Sequence, residues 1–241
     1  MREPPKPPPY ICPICRAELP YVSRLGDRSN ALMAQFPTLY WSPDWTGHEV
    51  CRVEMDRLAE EARVHQAERR RLSDLQRLTG ITGEFVAKST FENFRVDDQN
   101  TAAFNALSAW RPDDPRGIML CGPTGTGKTH LMLALVNRLY DAGKFPRFYN
   151  VNRLLDTMRS SQADDEDLAR LMLHLESCRY LILDDVGAER LTEWAEAKLE
   201  RIFSARINAG LATFFTSNHA PLQLAERYTQ RIVSRMSQMV N

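Results

Sequence analysis

Gly122-Pro123-Thr124-Gly125-Thr126-Gly127-Lys128-Thr129 stands between the short apolar run Gly117-Ile118-Met119-Leu120-Cys121 and a stretch, Lys128 to Leu139, with the apolar spacing of a helix. Strand, glycine loop and helix in that order make a phosphate-binding loop of the form G-x-x-x-x-G-K-[ST]. The glycines let the backbone turn tightly and aim its N–H groups at phosphate, at a helix N-terminus whose dipole already favours anions. Lys128 then reaches the β- and γ-phosphates of a nucleoside triphosphate. The Thr129 hydroxyl is placed to ligate Mg²⁺, a hard cation that takes oxygen ligands and keeps several waters.

Tyr180-Leu181-Ile182-Leu183-Asp184-Asp185 is an apolar strand ending in two carboxylates, the pattern of a Walker B element. Asp184 is the residue for the Mg²⁺ shell, and Asp185, where glutamate is the commoner choice, is the candidate to polarise the attacking water. A third run, Leu211-Ala212-Thr213-Phe214-Phe215, leads into Thr216-Ser217-Asn218. It brings another polar group to the strand-end edge where ligands of parallel sheets gather. Asn218 orients the water or reads the γ-phosphate, or else forms a plain turn or helix cap. Arg231 and Arg235, spaced i and i+4, share one helix face. They are either solvated or offered to the γ-phosphate of a neighbouring subunit.

Thr90-Phe91-Glu92-Asn93-Phe94, the loop Gly122 to Thr129 with His130 behind it, Leu181-Ile182-Leu183-Asp184-Asp185-Val186-Gly187, Thr216-Ser217-Asn218 and Arg231-Ile232-Val233-Ser234-Arg235-Met236 together resemble the DnaC/IstB-like branch of the AAA+ ATPases. The resemblance runs from Ser89 to the C-terminus. It implies an α/β fold: a P-loop AAA+ core with a parallel sheet flanked by helices. ATP and Mg²⁺ are the implied cofactors, with Gly122 to His130 and Asp184 around the nucleotide. Protomers are expected to join head to tail, with nucleotide at the subunit interface and Arg235, or alternatively Arg231, as the arginine finger. With few residues behind Arg235, no C-terminal helical lid is expected. Members of the branch include helicase loaders and helper ATPases of transposition, so the resemblance implies single-stranded DNA and a replicative helicase, or a transposase, as partners.

Lysine plus arginine equals aspartate plus glutamate at 31 each, so no broad basic field for nucleic acid exists. DNA contact would come from local patches or from surfaces repeated in an oligomer. No run is apolar and long enough to span a bilayer, and the proline-rich start, Met1 to Pro9, lacks the apolar stretch of a secretion signal. The expectation is a cytoplasmic protein.

Three of the five cysteines fall in a small N-terminal region as Cys12-Pro13-Ile14-Cys15 and His48-Glu49-Val50-Cys51. Two thiolates across a tight turn, with an imidazole and a third thiolate, would close a tetrahedral structural Zn²⁺ shell and help a small proline-rich unit fold. The long interval between the pairs leaves a reduced or redox-active thiol pair as the alternative. Cys121 and Cys178, in or beside apolar runs, are expected in the core.

Arg52 to Leu78 predicts a long charged helix with an intermittent apolar face, in which Arg69-Arg70-Arg71 is either solvated or set against phosphate or an acidic partner. Thr79 to Gly83 should break it. The expected organisation is a tail and zinc module over 1–51, a helical linker over 52–88 and the ATPase domain over 89–241. Within that domain Phe145 to Asn150 predicts a strand, Val151 to Arg159 a helix, Asp164 to Asp167 an acidic helix start, and Thr192 to Asn208 an amphipathic helix.

The functional expectation is an ATP-driven helicase loader that binds single-stranded DNA. The alternatives are a transposition helper and a nucleotide-gated scaffold with negligible turnover.

Overall fold

A computed structural model of the chain describes residues 10–11, 18–19, 49–160, 165–189 and 192–240. The chain forms two compact units, residues 1–68 and 69–241. In the first, β1 (Tyr10–Ile11) pairs antiparallel with β2 (Glu18–Leu19), Tyr10 opposite Leu19. The unit boundary falls inside α1 (Glu49–Thr79). Residues 69–88, read from the sequence as part of a linker, contribute Leu75, Leu78 and Val86 to buried positions, and so belong with the second unit.

The second unit continues with α2 (Gly83–Lys88), α3 (Thr101–Ala109), β3 (Met119–Cys121), α4 (Lys128–Asp141), β4 (Arg147–Asn150), α5 (Val151–Ser160), α6 (Asp165–Ser177), β5 (Tyr180–Asp184), α7 (Glu193–Ala209), β6 (Ala212–Ser217), α8 (Pro221–Arg227) and α9 (Gln230–Met239). The sheet runs β3-β6-β5-β4, with every neighbouring pair parallel. Parallel strands need crossover helices, which cover both faces and force the central strands to be apolar throughout. All residues of β5 and β6 are accordingly buried. Leu181, Leu183 and Phe215 point into one core with helices α5 to α9; Tyr180, Ile182 and Phe214 point into the other with the end of α1 and helices α2 to α4. Each such side chain contributes about 2 kcal/mol by leaving water.

Local signals set the helix ends. The Thr192 hydroxyl accepts from the Ala195 amide at 3.3 Å, capping α7. Cys121 and Cys178, expected in the core, are half-buried at its margin. Among the described residues no helix is long and apolar enough to cross a membrane.

One buried cation ties the sheet to its helices. Arg206 on α7 is 0% exposed. It donates to Leu175 O and Cys178 O at the end of α6, at 2.8 and 2.7 Å, and to Ala212 O and Thr213 Oγ1 on β6, both at 2.8 Å. Burial opposes its charge, and the four acceptors stand in for water. Arg206→Met keeps the length and orphans those acceptors. It should lower the unfolding free energy by about 3 kcal/mol in urea titration, and a loss below about 1 kcal/mol would show that the acceptors find other partners.

Candidate active site

The cleft lies at the C-terminal ends of the parallel strands, with a volume of about 350 Å³. Its floor is the loop between β3 and α4. Gly127 closes the loop at φ 86°, a left-handed conformation, and a Cβ there would lie 2.5 Å from Cε2 of Phe94. Both facts require glycine. Phe94 also meets the His130 ring edge-on at 5.2 Å, and the His130 ring is hydrogen-bonded to Thr90 O at 3.0 Å. The segment ahead of the loop therefore braces it. Thr126 Oγ1 donates to Pro123 O at 3.0 Å. Thr124, Gly125, Gly127, Lys128, Thr129 and His130 line the cleft.

Lys128 Nζ donates to Gly122 O and Pro123 O, both at 2.8 Å, folded back on its own loop. Partial burial pushes its pKa down, while Asp185 and Asp184 pull it up. A polyphosphate offers that ammonium stronger acceptors than two carbonyls do.

Across the cleft, Asp184 ends β5 at 7% exposure. Thr129 Oγ1 donates to its two carboxylate oxygens at 3.0 and 3.3 Å, and Thr216 Oγ1 donates to Oδ1 at 2.7 Å. Burial raises the Asp184 pKa, the Thr216 and Thr129 hydroxyls oppose the rise, and the Asp185 charge adds to it. A buried carboxylate beside a hydroxyl at a phosphate-binding loop is a hard-oxygen donor pair short of positive charge, which fits Mg²⁺. Asp185 sits one step on, at φ 62°, the sole non-glycine with positive φ among the described residues. Its amide donates to Thr216 Oγ1 at 2.8 Å, and Asn218 Nδ2 donates to its Oδ1 at 2.7 Å. The Asp185 carboxylate, hydrogen-bonded to Asn218, lines the cleft.

Three parts of the site were not legible as such. Asn150, the last residue of β4, lines the cleft because parallel strands all end at the same edge. Thr216 stood in a run already singled out, but its bridging hydroxyl had no sequence signal. The third part follows Asp185: Gly187 N donates to Tyr228 Oη and to Glu189 Oε2, both at 2.9 Å, Arg227 Nε donates to Gly187 O at 2.7 Å, and Tyr228 Oη donates to Glu189 Oε1. At φ 91°, Gly187 leaves no space for a Cβ, which would lie 2.6 Å from Leu224 Cδ2.

Arg231 and Arg235 lie on α9 outside the cleft. Arg231 is exposed and 3.4 Å from Glu200, and Arg235 is half-exposed. Cys12, Cys15 and His48 lie outside the described residues, and Cys51 is described only as a residue of α1. Among the described residues no cluster of three or more metal-ligating side chains occurs.

A parallel sheet in this order, a strand–P-loop–helix unit and a buried aspartate ending β5, one strand removed from β3, define a P-loop ATPase of the AAA+ type. The chain belongs to the family described as IstB-like ATP binding protein, whose pattern matches residues 46–230. It is 29% identical over 115 residues to the replicative helicase loader DnaI of Bacillus subtilis, covering 47% of this chain but only 37% of that protein. It is 23% identical to the replicative helicase loader DnaC of Escherichia coli over 89% of this chain and 90% of that one. A protein named as ATP-binding in an insertion sequence of Mycobacterium tuberculosis is 32% identical over 57% of this chain and 56% of its own length. The crystal structure of a DnaC helicase loader shares the fold, with a TM-score of 0.59 at 22% identity over 65% of this chain and 96% of that one.

Two outcomes follow from the geometry. Gly127→Ala forces both strain and a clash with Phe94, so ATP affinity should fall more than about tenfold in equilibrium binding. An unchanged affinity would show that the Phe94 brace is not required. Glu189 is buried, which raises its carboxyl pKa above 4.5; the amides of Glu189 and Gly187 oppose the rise, Asp185 adds to it and Arg227 opposes it. Because its folded pKa exceeds the unfolded one, the native state holds the proton more tightly. Stability from this group is therefore fullest below the unfolded value and lost as pH rises through the folded one. Compared with Glu189→Gln, the parent should lose unfolding free energy as pH rises from about 4 towards neutrality. A constant difference across that window would contradict the assignment.

Proposed function

We propose that the chain is an ATP-driven helper of DNA replication whose protomers assemble head to tail and complete each other's ATP sites. One observation carries the reading: among the described residues, Lys128 is the cationic side chain lining the cleft and no arginine does, while Arg231 and Arg235 sit outside it on α9. Lys128 and Mg²⁺ held by Thr129 and Asp184 neutralise part of a triphosphate. The charge that spreads over the transferring phosphoryl oxygens in the transition state calls for a further cation. Arg235, or Arg231 in its place, supplies it from a neighbouring subunit. Asp185, aimed by Asn218, polarises the attacking water, and Lys128 with the loop amides holds the phosphates.

The near end-to-end match to DnaC supports a helicase loader acting in the cytoplasm, with a replicative helicase as protein partner and single-stranded DNA as the surface on which ATP assembles the protomers. A net charge of zero leaves DNA contact to surfaces repeated along the oligomer. Transposition help with a transposase as partner is the second reading, favoured by the family's own description and by the insertion-sequence relative. Cys12, Cys15, His48 and Cys51 hold a structural Zn²⁺ that shapes the partner-gripping module.

ATP turnover with and without single-stranded DNA, measured for Arg235→Ala, Lys128→Ala and their equimolar mixture, tests the reading. Each variant alone should fall at least about a hundredfold, and the mixture should recover part of the activity because Lys128→Ala subunits still lend an arginine. Arg231→Ala replaces Arg235→Ala should the latter retain full activity. If neither arginine matters and DNA has no effect, the interface mechanism fails and a nucleotide-gated scaffold is the better account. Metal analysis tests the zinc separately: about one Zn²⁺ per chain, lost in Cys12→Ser, is expected, and a metal-free native protein would contradict it.

A further inference from the structure

We propose that Thr216 is a positioning residue that sets both carboxylates of the ATP site at once. The inference deepens the ATP-site reading and rests on it. Thr216 lies on β6 at 1% exposure. Its Oγ1 accepts from the Asp185 amide at 2.8 Å and donates to Asp184 Oδ1 at 2.7 Å, while its own carbonyl accepts from the Val186 amide at 2.8 Å. Three consecutive residues at the end of β5 are thus fastened to one residue of the neighbouring strand.

The hydroxyl's role is fixed by proton count. A hydroxyl has one proton, the Asp185 N–H can only donate, and so the Thr216 proton points at Asp184. Thr129 donates to the same carboxylate at 3.0 Å, but its hydroxyl is the one a bound Mg²⁺ takes. When it does, Thr216 keeps Asp184 from swinging. The other half of the bond matters as much. Asp185 is held at φ 62°, a conformation that a non-glycine residue leaves unless its surroundings hold it there. The Thr216 oxygen holds its amide and Asn218 holds its carboxylate, so that the side chain is aimed from two points.

Serine in place of threonine keeps every one of these bonds, whereas valine keeps the shape and the carbonyl and removes only the hydroxyl. Binding of a fluorescent ATP analogue is measured with Mg²⁺ and with excess EDTA, alongside kcat and KM, for the parent, Thr216→Val and Thr216→Ser. Thr216→Val should leave the EDTA affinity within about twofold, lose about tenfold of the Mg²⁺-dependent tightening, and lower kcat about 10- to 100-fold with a smaller change in KM. Thr216→Ser should restore both to within about threefold of the parent. Equal losses of affinity with and without Mg²⁺, or a Thr216→Val protein with parental kcat, overturn the proposal, since a merely structural residue would show the first and a spectator the second. Should Thr216→Val fail to fold, Thr216→Cys, with only a weak donor, carries the same comparison. A parent that shows no Mg²⁺-dependent binding would instead sink the ATP-site reading itself.

Discussion

The buried carboxylate of Asp184, gripped by Thr129 from helix α4 and by Thr216 from strand β6, is the contact on which the rest of the site depends. Three elements converge there because a parallel sheet sends all its strands out at one edge, and the crossover from β3 returns its helix N-terminus to the same edge. The cost of burying that charge is what makes the site an acceptor for a cation. Two hydroxyls reduce the cost without cancelling it, so the Asp184 pKa is raised. Lys128 is folded back on Gly122 O and Pro123 O, and phosphate would offer its ammonium stronger acceptors than those carbonyls.

The fold was legible where sequence carried a periodic or chemical signal. The apolar run Tyr180 to Leu183 is buried on both faces, and its carboxylate ending has a place only at a strand edge. Gly127, Lys128 and Thr129 are each set by local geometry, which is why a motif sufficed to place them. The short helices α3 and α8 were not legible, since Leu107 and Leu224 are the single residues that each buries and so leave no periodicity to detect. Among site residues, Asn150 and Thr216 are ordinary strand ends in sequence, and their roles come from register: Asn150 lies beside Asp184, and Thr216 one position past the Leu183–Phe215 pair. The Gly187–Glu189–Tyr228 cluster joins residues far apart in the chain and had no local signal at all.

That cluster has a mechanical consequence. Gly187 follows Asp185 by two residues, and Arg227 and Tyr228, which hold its carbonyl and amide, stand directly before the helix bearing Arg231 and Arg235. The turn that follows Asp185 and the helix bearing Arg231 and Arg235 are therefore neighbours through a few hydrogen bonds.

On the proposed mechanism, one chain holds an incomplete ATP site that a second copy finishes. Sedimentation velocity of the parent with Mg²⁺ and a non-hydrolysable ATP analogue, against ADP and against no nucleotide, tests it most directly. The account predicts assemblies larger than the monomer with the analogue, grown further by single-stranded DNA, and a return to smaller species with ADP. A protein that binds the analogue yet sediments as a monomer in every condition would contradict it.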